Sequence, residues 1–72
     1  MWIKRVESSS STLFNTNQFV TIYKAQDGAE YQIKVTYSDG EVGTLYRSEL
    51  YSDRNKVYDR LCDELGVRKI IG

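Results

Sequence analysis

The chain has no histidine, no proline and a single cysteine in 72 residues. Each shortage closes off a kind of chemistry. One cysteine, Cys62, leaves no partner for an internal disulfide. Without histidine it also falls short of the three or four Cys and His ligands that zinc sites use. General acid–base work would have to fall to carboxylates, lysines or tyrosines. A surplus of one charge is missing too, since ten Lys plus Arg balance ten Asp plus Glu, whereas a duplex binder normally carries a basic excess that neutralises phosphates. No apolar run approaches the roughly 18 residues of a membrane span, and the opening Met1–Glu7 lacks the apolar core of a signal peptide. These absences lead us to expect a soluble, cytoplasmic, non-enzymatic protein without metal or cofactor. Residues 1–72 read as one domain. A chain this short buries only about 60% of the surface its unfolded form exposes. With no covalent staple, association is its remaining route to further burial.

The residues that could carry catalysis sit in unpromising places. Asp59 and Asp63 share a helical face, but one expected to be wet, where carboxylates solubilise. Cys62 falls on the apolar side of the same helix, late in it, where the dipole does not favour a thiolate. Neither Asp-Gly pair has the alternating oxygen ligands of a calcium loop, and no glycine-rich phosphate loop is present.

Alternation organises what is there. Trp2–Val6 reads as a short strand. Glu7-Ser8-Ser9-Ser10-Ser11-Thr12 has no periodicity and reads as a flexible connector. Leu13-Phe14 and the turn-prone Asn15–Gln18 then lead into the clearest part of the chain. Three strands are expected near 19–26, 29–38 and 41–49, separated by Asp27-Gly28 and Asp39-Gly40, the strongest short-range hairpin signal. If both turns have two residues, Ile22 opposes Ile33, Val20 opposes Val35, Tyr37 opposes Val42 and Ile33 opposes Tyr46. One face then holds Val20, Ile22, Tyr31, Ile33, Val35, Tyr37, Val42, Thr44 and Tyr46, which is the expected core. The other holds Phe19, Thr21, Tyr23, Gln32, Lys34, Thr36, Gly43, Leu45 and Arg47.

The last third is helical. A helix is expected near 53–65, capped by Ser52 or Asp53 and ended by Gly66. Val57, Leu61 and Leu65 recur at i, i+4 and i+8, with Tyr58 and Cys62 on the adjoining row, which makes one apolar stripe. Val67–Ile71 is short and apolar, and either returns as an edge strand or packs onto the sheet. The expected fold is α+β, an antiparallel β-meander of three to four strands with one C-terminal helix packed on one face.

The second sheet face points to function. Phe19, Tyr23 and Leu45 interrupt an otherwise polar surface, and Lys34 and Arg47 rim them, an arrangement that marks interfaces. The function expected from the residues is a small protein-interaction module, either a homodimer or a binder and modulator of a larger protein, built on Phe19, Tyr23, Lys34, Leu45 and Arg47. Aspartate at Tyr23 or Leu45 should then abolish association without loss of cooperative folding. The alternative is a single-strand nucleic-acid binder that stacks bases on the same face, for which 12% aromatic residues and the two basic side chains speak. A plainer account folds Trp2, Ile3, Leu13 and Phe14 of the N-terminal segment over that face.

The order of motifs carries a resemblance. Met1-Trp2-Ile3-Lys4 at the start, Phe14-Asn15-Thr16-Asn17 running into Phe19-Val20-Thr21-Ile22, then strand, Asp-Gly, strand and short helix resemble many small bacterial and phage proteins. Over about residues 1–65 they also resemble the short flagellar-operon regulator family, which opens similarly and continues with a Leu-Asn segment. This chain has a longer, serine-bearing first connection and a longer helix than that family, and no binding residue transfers. The resemblance implies a cytoplasmic accessory protein of bacterial or prophage setting.

Overall fold

The computed structural model describes residues 1–68 and Ile70. It is an α+β domain of five strands and one helix: β1 (Trp2–Val6), β2 (Ser11–Asn15), a single 3₁₀ turn (Thr16–Gln18), β3 (Phe19–Asp27), β4 (Glu30–Tyr37), β5 (Val42–Ser48) and α1 (Tyr51–Leu65). β3-β4-β5 form the expected antiparallel meander, while β1 and β2 form a separate two-stranded sheet.

That second sheet corrects the expectation for the serine run. Glu7 N donates to Ser10 O at 2.8 Å, so Ser8 and Ser9 are a hairpin turn and Ser11-Thr12 already belong to a strand. The partnership that makes it a strand lies in β1, with Ile3 opposite Phe14 and Arg5 opposite Thr12. At the far end Met1 O accepts both Thr16 N and Thr16 Oγ1 at 2.9 Å, which closes the hairpin. Asn15 then caps the 3₁₀ turn by accepting Asn17 N on Oδ1 at 3.1 Å.

Both meander turns differ from the expected pair of two-residue loops on Asp-Gly. In the first, Asp27 opposes Glu30 and the loop is Gly28-Ala29. Positive φ occurs only at Gly28 (61°), the pattern of a type II′ turn with glycine first. The register therefore moves by two residues, so Ile22 faces Val35 and Lys24 faces Ile33. A shift of two preserves which side chains share a face. In the second turn, Tyr37 N donates to Glu41 O and Gly40 N to Tyr37 O, closing the three-residue loop Ser38-Asp39-Gly40 with Gly40 at φ 90°. Asp39 Oδ1 accepts Glu41 N at 2.9 Å. That extra loop residue displaces the pairing by one near the turn, where Val35 faces Gly43. Beyond the irregularity at Leu45 the expected Ile33–Tyr46 pair returns.

Two bulges thus decide which residues are interior. On β3 the register shifts between Phe19 and Thr21, which leaves Val20 unpaired and sets Phe19 opposite Tyr37. On β5 the bulged residue is Leu45. Ile33, Val35 and Leu45 are the buried core, with Ile3, Phe14, Phe19, Ile22, Tyr37, Tyr46, Val57, Tyr58 and Leu61 packed around it. Val20 and Val42, expected inside, are exposed.

The helix begins earlier than expected. Its N-cap is Leu50, which has no capping side chain, so neither Ser52 nor Asp53 caps it. Ser48 Oγ accepts Leu50 N at 3.0 Å and shapes the entry instead. Asp53 sits in the first turn, where its charge suits the macrodipole. The C-terminus ends as expected: Gly66 at φ 68° donates to Asp63 O, and Val67 N donates to Cys62 O at 3.0 Å, a Schellman closure. Val67, Arg68 and Ile70 belong to no strand, and Lys69 and Ile71 of the expected return lie outside the described residues.

One side chain fastens helix to sheet. Arg54, 6% exposed, packs against the rings of both Tyr31 and Tyr51, its guanidinium carbon 5.4 and 5.3 Å from their centroids. Nη1 donates to Ala25 O at 2.9 Å and Gln32 O at 3.3 Å, and Nε donates to Asn55 Oδ1 at 2.7 Å. Tyr31 and Tyr51 meet edge to face at 5.4 Å. Lys24 Nζ lies 4.9 Å from the Tyr58 ring centroid, a second tie between β3 and the helix.

Candidate interaction surfaces

The five residues expected to form one interaction surface are divided by the bulges. Phe19 lies inside, its ring 6.3 Å from Phe14 and 5.7 Å from Tyr37. Leu45 is 4% exposed and belongs to the core. Both corrections have one cause: a bulge puts two successive residues on the same side of the strand, where strict alternation would separate them. Aspartate at Leu45 would therefore place a charge in the core and unfold the domain rather than probe association. Tyr23, Lys34 and Arg47 stay on the sheet face opposite the helix, with Tyr23 beside Lys34 and Gln32 beside Arg47 in the register.

That open face is more polar than expected. Thr21 and Thr36 pair across it, with Val42 next to Thr36 and Thr44 next to Lys34. Gln32 is buried at its centre. Its Nε2 donates to Glu30 Oε1 at 2.7 Å, while its Oε1 has no hydrogen-bond partner within the protein. The N-terminal segment does not cover this face. Ile3 and Phe14 pack on the opposite side against the Ile33–Val35–Leu45 core, next to the helix. Arg5 joins the two sheets there, donating from Nη1 to Thr44 O at 2.7 Å with its guanidinium over the Phe14 ring at 5.3 Å. Arg5 Nε also lies 3.5 Å from Glu7 Oε1.

The hairpin itself carries the larger unpartnered apolar surface. Alternation along β1 sends Ile3 and Arg5 inward and Trp2, Lys4 and Val6 outward, with Leu13 beside Lys4 on the same outward side. Trp2, Val6 and Leu13 are 65, 71 and 63% exposed. Next to Trp2 a groove of about 470 Å³ runs between β1 and the helix, flanked by Val57, Arg60, Leu61 and Glu64. This surface was legible in part. The i, i+2 spacing of Trp2, Lys4 and Val6 marks an outward row, but Leu13 joins it only once Ser8-Ser9 is recognised as a turn.

The chain as a whole exposes more than a compact monomer does. Its accessible surface is 5510 Å², against about 4,600 Å² for a compact monomer of its mass. Its radius of gyration is 12.4 Å, against about 11 Å for a compact domain of its length. Among the described residues, large apolar side chains left exposed include Trp2, Val6 and Leu13 on the hairpin, Val20 and Val42 at the bulged strands, and Val67 and Ile70 beyond the helix.

Asp59 and Asp63 are exposed on the helix and Cys62 is half-buried beside Leu65. Among the described residues no three His, Cys, Asp or Glu side chains cluster closely enough to hold a metal ion. No helix among them is long and apolar enough to cross a membrane. No family model, curated protein or solved structure matches the chain.

Proposed function

We propose that this chain is a non-enzymatic, cytoplasmic protein-interaction module that works as a homo-oligomer or as the binder and modulator of a larger protein. The outward face of the N-terminal hairpin carries this reading. Trp2, Val6 and Leu13 stand in solvent on the side of the hairpin turned away from the core, an apolar patch of the kind that marks interaction sites. Relative to the surface expected from the residues, the centre of gravity moves from Phe19 and Leu45, which are interior, to the hairpin. Tyr23, Lys34 and Arg47 remain on a separate, polar face.

Trp2 is the only tryptophan, so its fluorescence reports on this face alone. Size exclusion with light scattering over a dilution series should give a mass twice the 8.4 kDa chain at high concentration and the monomer mass on dilution. The Trp2 emission should shift to the red as the dimer dissociates. A monomer at every concentration, with unchanged Trp2 emission, defeats the self-association form of the proposal.

The second reading, a single-strand nucleic-acid binder, draws on the open face. Tyr23 offers a ring, and Lys34 and Arg47 offer charge. Ionic strength separates the two. Oligonucleotide affinity resting on phosphate contacts falls steeply as salt rises, whereas an apolar protein interface barely responds.

A further inference from the structure

Each of the two sheets has two edges, and they are not equally protected. An exposed edge is a template for another strand, and proteins blunt edges with charged side chains, proline or bulges. On β3 the edge carries Lys24 and is broken by the bulge at Val20. On β5 the edge is broken at Leu45, and Arg5 Nη1 occupies Thr44 O. β1 has Lys4 in the middle of its outward row, beside Arg5. β2, Ser11-Thr12-Leu13-Phe14-Asn15, has no charged residue, no proline and no bulge.

The hydrogen bonds at the two ends of the hairpin determine which groups β2 leaves free. Glu7 N bonds Ser10 O, and Thr16 N bonds Met1 O. Bonded and open pairs alternate in an antiparallel ladder, so Arg5–Thr12 and Ile3–Phe14 are the bonded pairs. Ser11, Leu13 and Asn15 therefore direct their N–H and C=O groups away from β1, toward solvent. Along this edge lies an open cleft of about 380 Å³, bordered by Thr12–Asn15 on one side and by Gln18, Tyr37, Ser38 and Asp39 on the other.

We propose that the occupant of this edge is the β2 of a second copy, paired antiparallel about a two-fold axis at Leu13. This rests on the self-association form of the function proposed above. In that arrangement Ser11 faces the partner's Asn15, Leu13 faces the partner's Leu13, and every free N–H and C=O of the three residues finds a partner. The two hairpins become one four-stranded sheet in the order β1-β2-β2-β1. A self-pairing of β1 about Lys4 would oppose two lysines, a like-charge pair that destabilises a ladder. β2 meets no such conflict. The cleft beyond Asn15 presents Gln18, Ser38 and Asp39 beside the Tyr37 ring, and the polar Ser8–Ser10 turn of the second copy arrives there. The pairing also joins the two outward apolar rows, with the Leu13 pair at the centre and Lys4, Trp2 and Val6 on either flank.

The test uses the full chain. Leu13→Lys and Leu13→Glu change a side chain that points into solvent opposite Lys4, so at concentrations where the chain is monomeric each variant should unfold cooperatively, the lysine variant slightly less and the glutamate variant slightly more stable than the unmodified chain. Each alone should weaken the dimer about tenfold or more, through loss of the Leu13 pair and like-charge opposition. Mixed in equal amounts, the two variants should recover the dimer mass as a heterodimer. Amide hydrogen exchange supplies a second readout: raising the concentration of the unmodified chain should slow exchange at Ser11, Leu13 and Asn15 and leave Trp2, Lys4 and Val6 unchanged. If the single variants dimerise as tightly as the unmodified chain, or if protection appears at the β1 amides instead, the β2 pairing is wrong while self-association stands. If the unmodified chain is monomeric at every concentration, the β2 pairing and the self-association form of the proposed function fall together.

Discussion

Arg54 is the most informative residue to perturb, because a buried arginine in so small a domain must be doing something the aliphatic core cannot. Replacing it with alanine removes a charged donor from Ala25 O and Gln32 O and the guanidinium that packs against Tyr31 and Tyr51. Hydrogen bonds to a charged group contribute about 1.5–3 kcal/mol, and each cation–π contact adds roughly 0.5–1 kcal/mol at partly exposed sites. Against this, the mutation returns the cost of burying a guanidinium, which is several kcal/mol before compensation. Ala25 and Gln32 face each other in the β3–β4 ladder. Their carbonyls lose an additional donor and are not left bare. The net loss should be about 2–3 kcal/mol, and since about 1 kcal/mol moves the midpoint of a domain this size by 4–8 °C, the fall in Tm should be roughly 10–20 °C. Lysine at the same position keeps a charge and a nitrogen that can serve the two carbonyls as Nη1 does, but it lacks the planar guanidinium that lies against both rings and the second donor, Nε, to Asn55, so Arg54→Lys should fall between the two. Urea unfolding followed by far-UV circular dichroism measures all three, with an unchanged m-value as the check on two-state behaviour. If Arg54→Ala shifts stability by less than about 0.5 kcal/mol, the guanidinium does not hold the helix to the sheet. If lysine matches arginine, the contact of the guanidinium with the Tyr31 and Tyr51 rings contributes nothing.

Two further substitutions test the packing. Ile33, fully buried in the central strand, should lose about 2–5 kcal/mol on truncation to alanine; Leu61→Ala, on the half-buried helix stripe, should fall at the low end of that range, and thermal melts of the two separate core from periphery. A β-carbon at Gly43 would lie 2.7 Å from Tyr37 Oη and 2.8 Å from its Cε2, so Gly43→Ala must push the Tyr37 ring off Phe19. A loss of about 1–3 kcal/mol with changed aromatic NMR shifts for Phe19 is expected, and an unchanged spectrum would refute the close approach of β5 to that ring.

Much of the fold was legible because its signals are local. The three meander strands follow from alternation bounded by two Asp-Gly pairs, and Gly66 ends the helix where a residue free to adopt positive φ was required. The β1-β2 hairpin was half hidden. Its turn is built of serines, which fit a two-residue loop and a flexible connector equally well, and only the partnership with Trp2–Val6 distinguishes them. The place of Arg54 was not legible for another reason. The stripe Val57, Leu61, Leu65 continues backward by one turn to positions 53 and 54, yet charge argues for the wet face, and nothing local reveals that Tyr31, more than twenty residues earlier, will lie beneath it.

The site was less legible than the fold because it depends on parity, and parity is fragile. An interaction surface read from alternation holds only while every strand keeps one residue per step. The turn at Ser38–Gly40 adds a residue to the β4–β5 connection, and the bulge at Leu45 takes the displacement out again, so pairs on the far side match the simple count while those between turn and bulge do not. Gly43, Thr44 and Leu45 accordingly change places with respect to the core, and a large aliphatic side chain that seemed to mark an outer patch instead completes the interior. At Val20 the same event brings Phe19 inward to Phe14 and Tyr37. Both displacements favour burial, since each exchanges a valine or threonine for leucine or phenylalanine inside the domain, and the larger side chain removes more apolar area from water. The bulges are therefore part of how a chain with so few interior positions fills its core. The surface left over is the one that β1 and β2 present, where no bulge interrupts the count and where Leu13, between Ser11 and Asn15, meets no charge that would turn a second copy away.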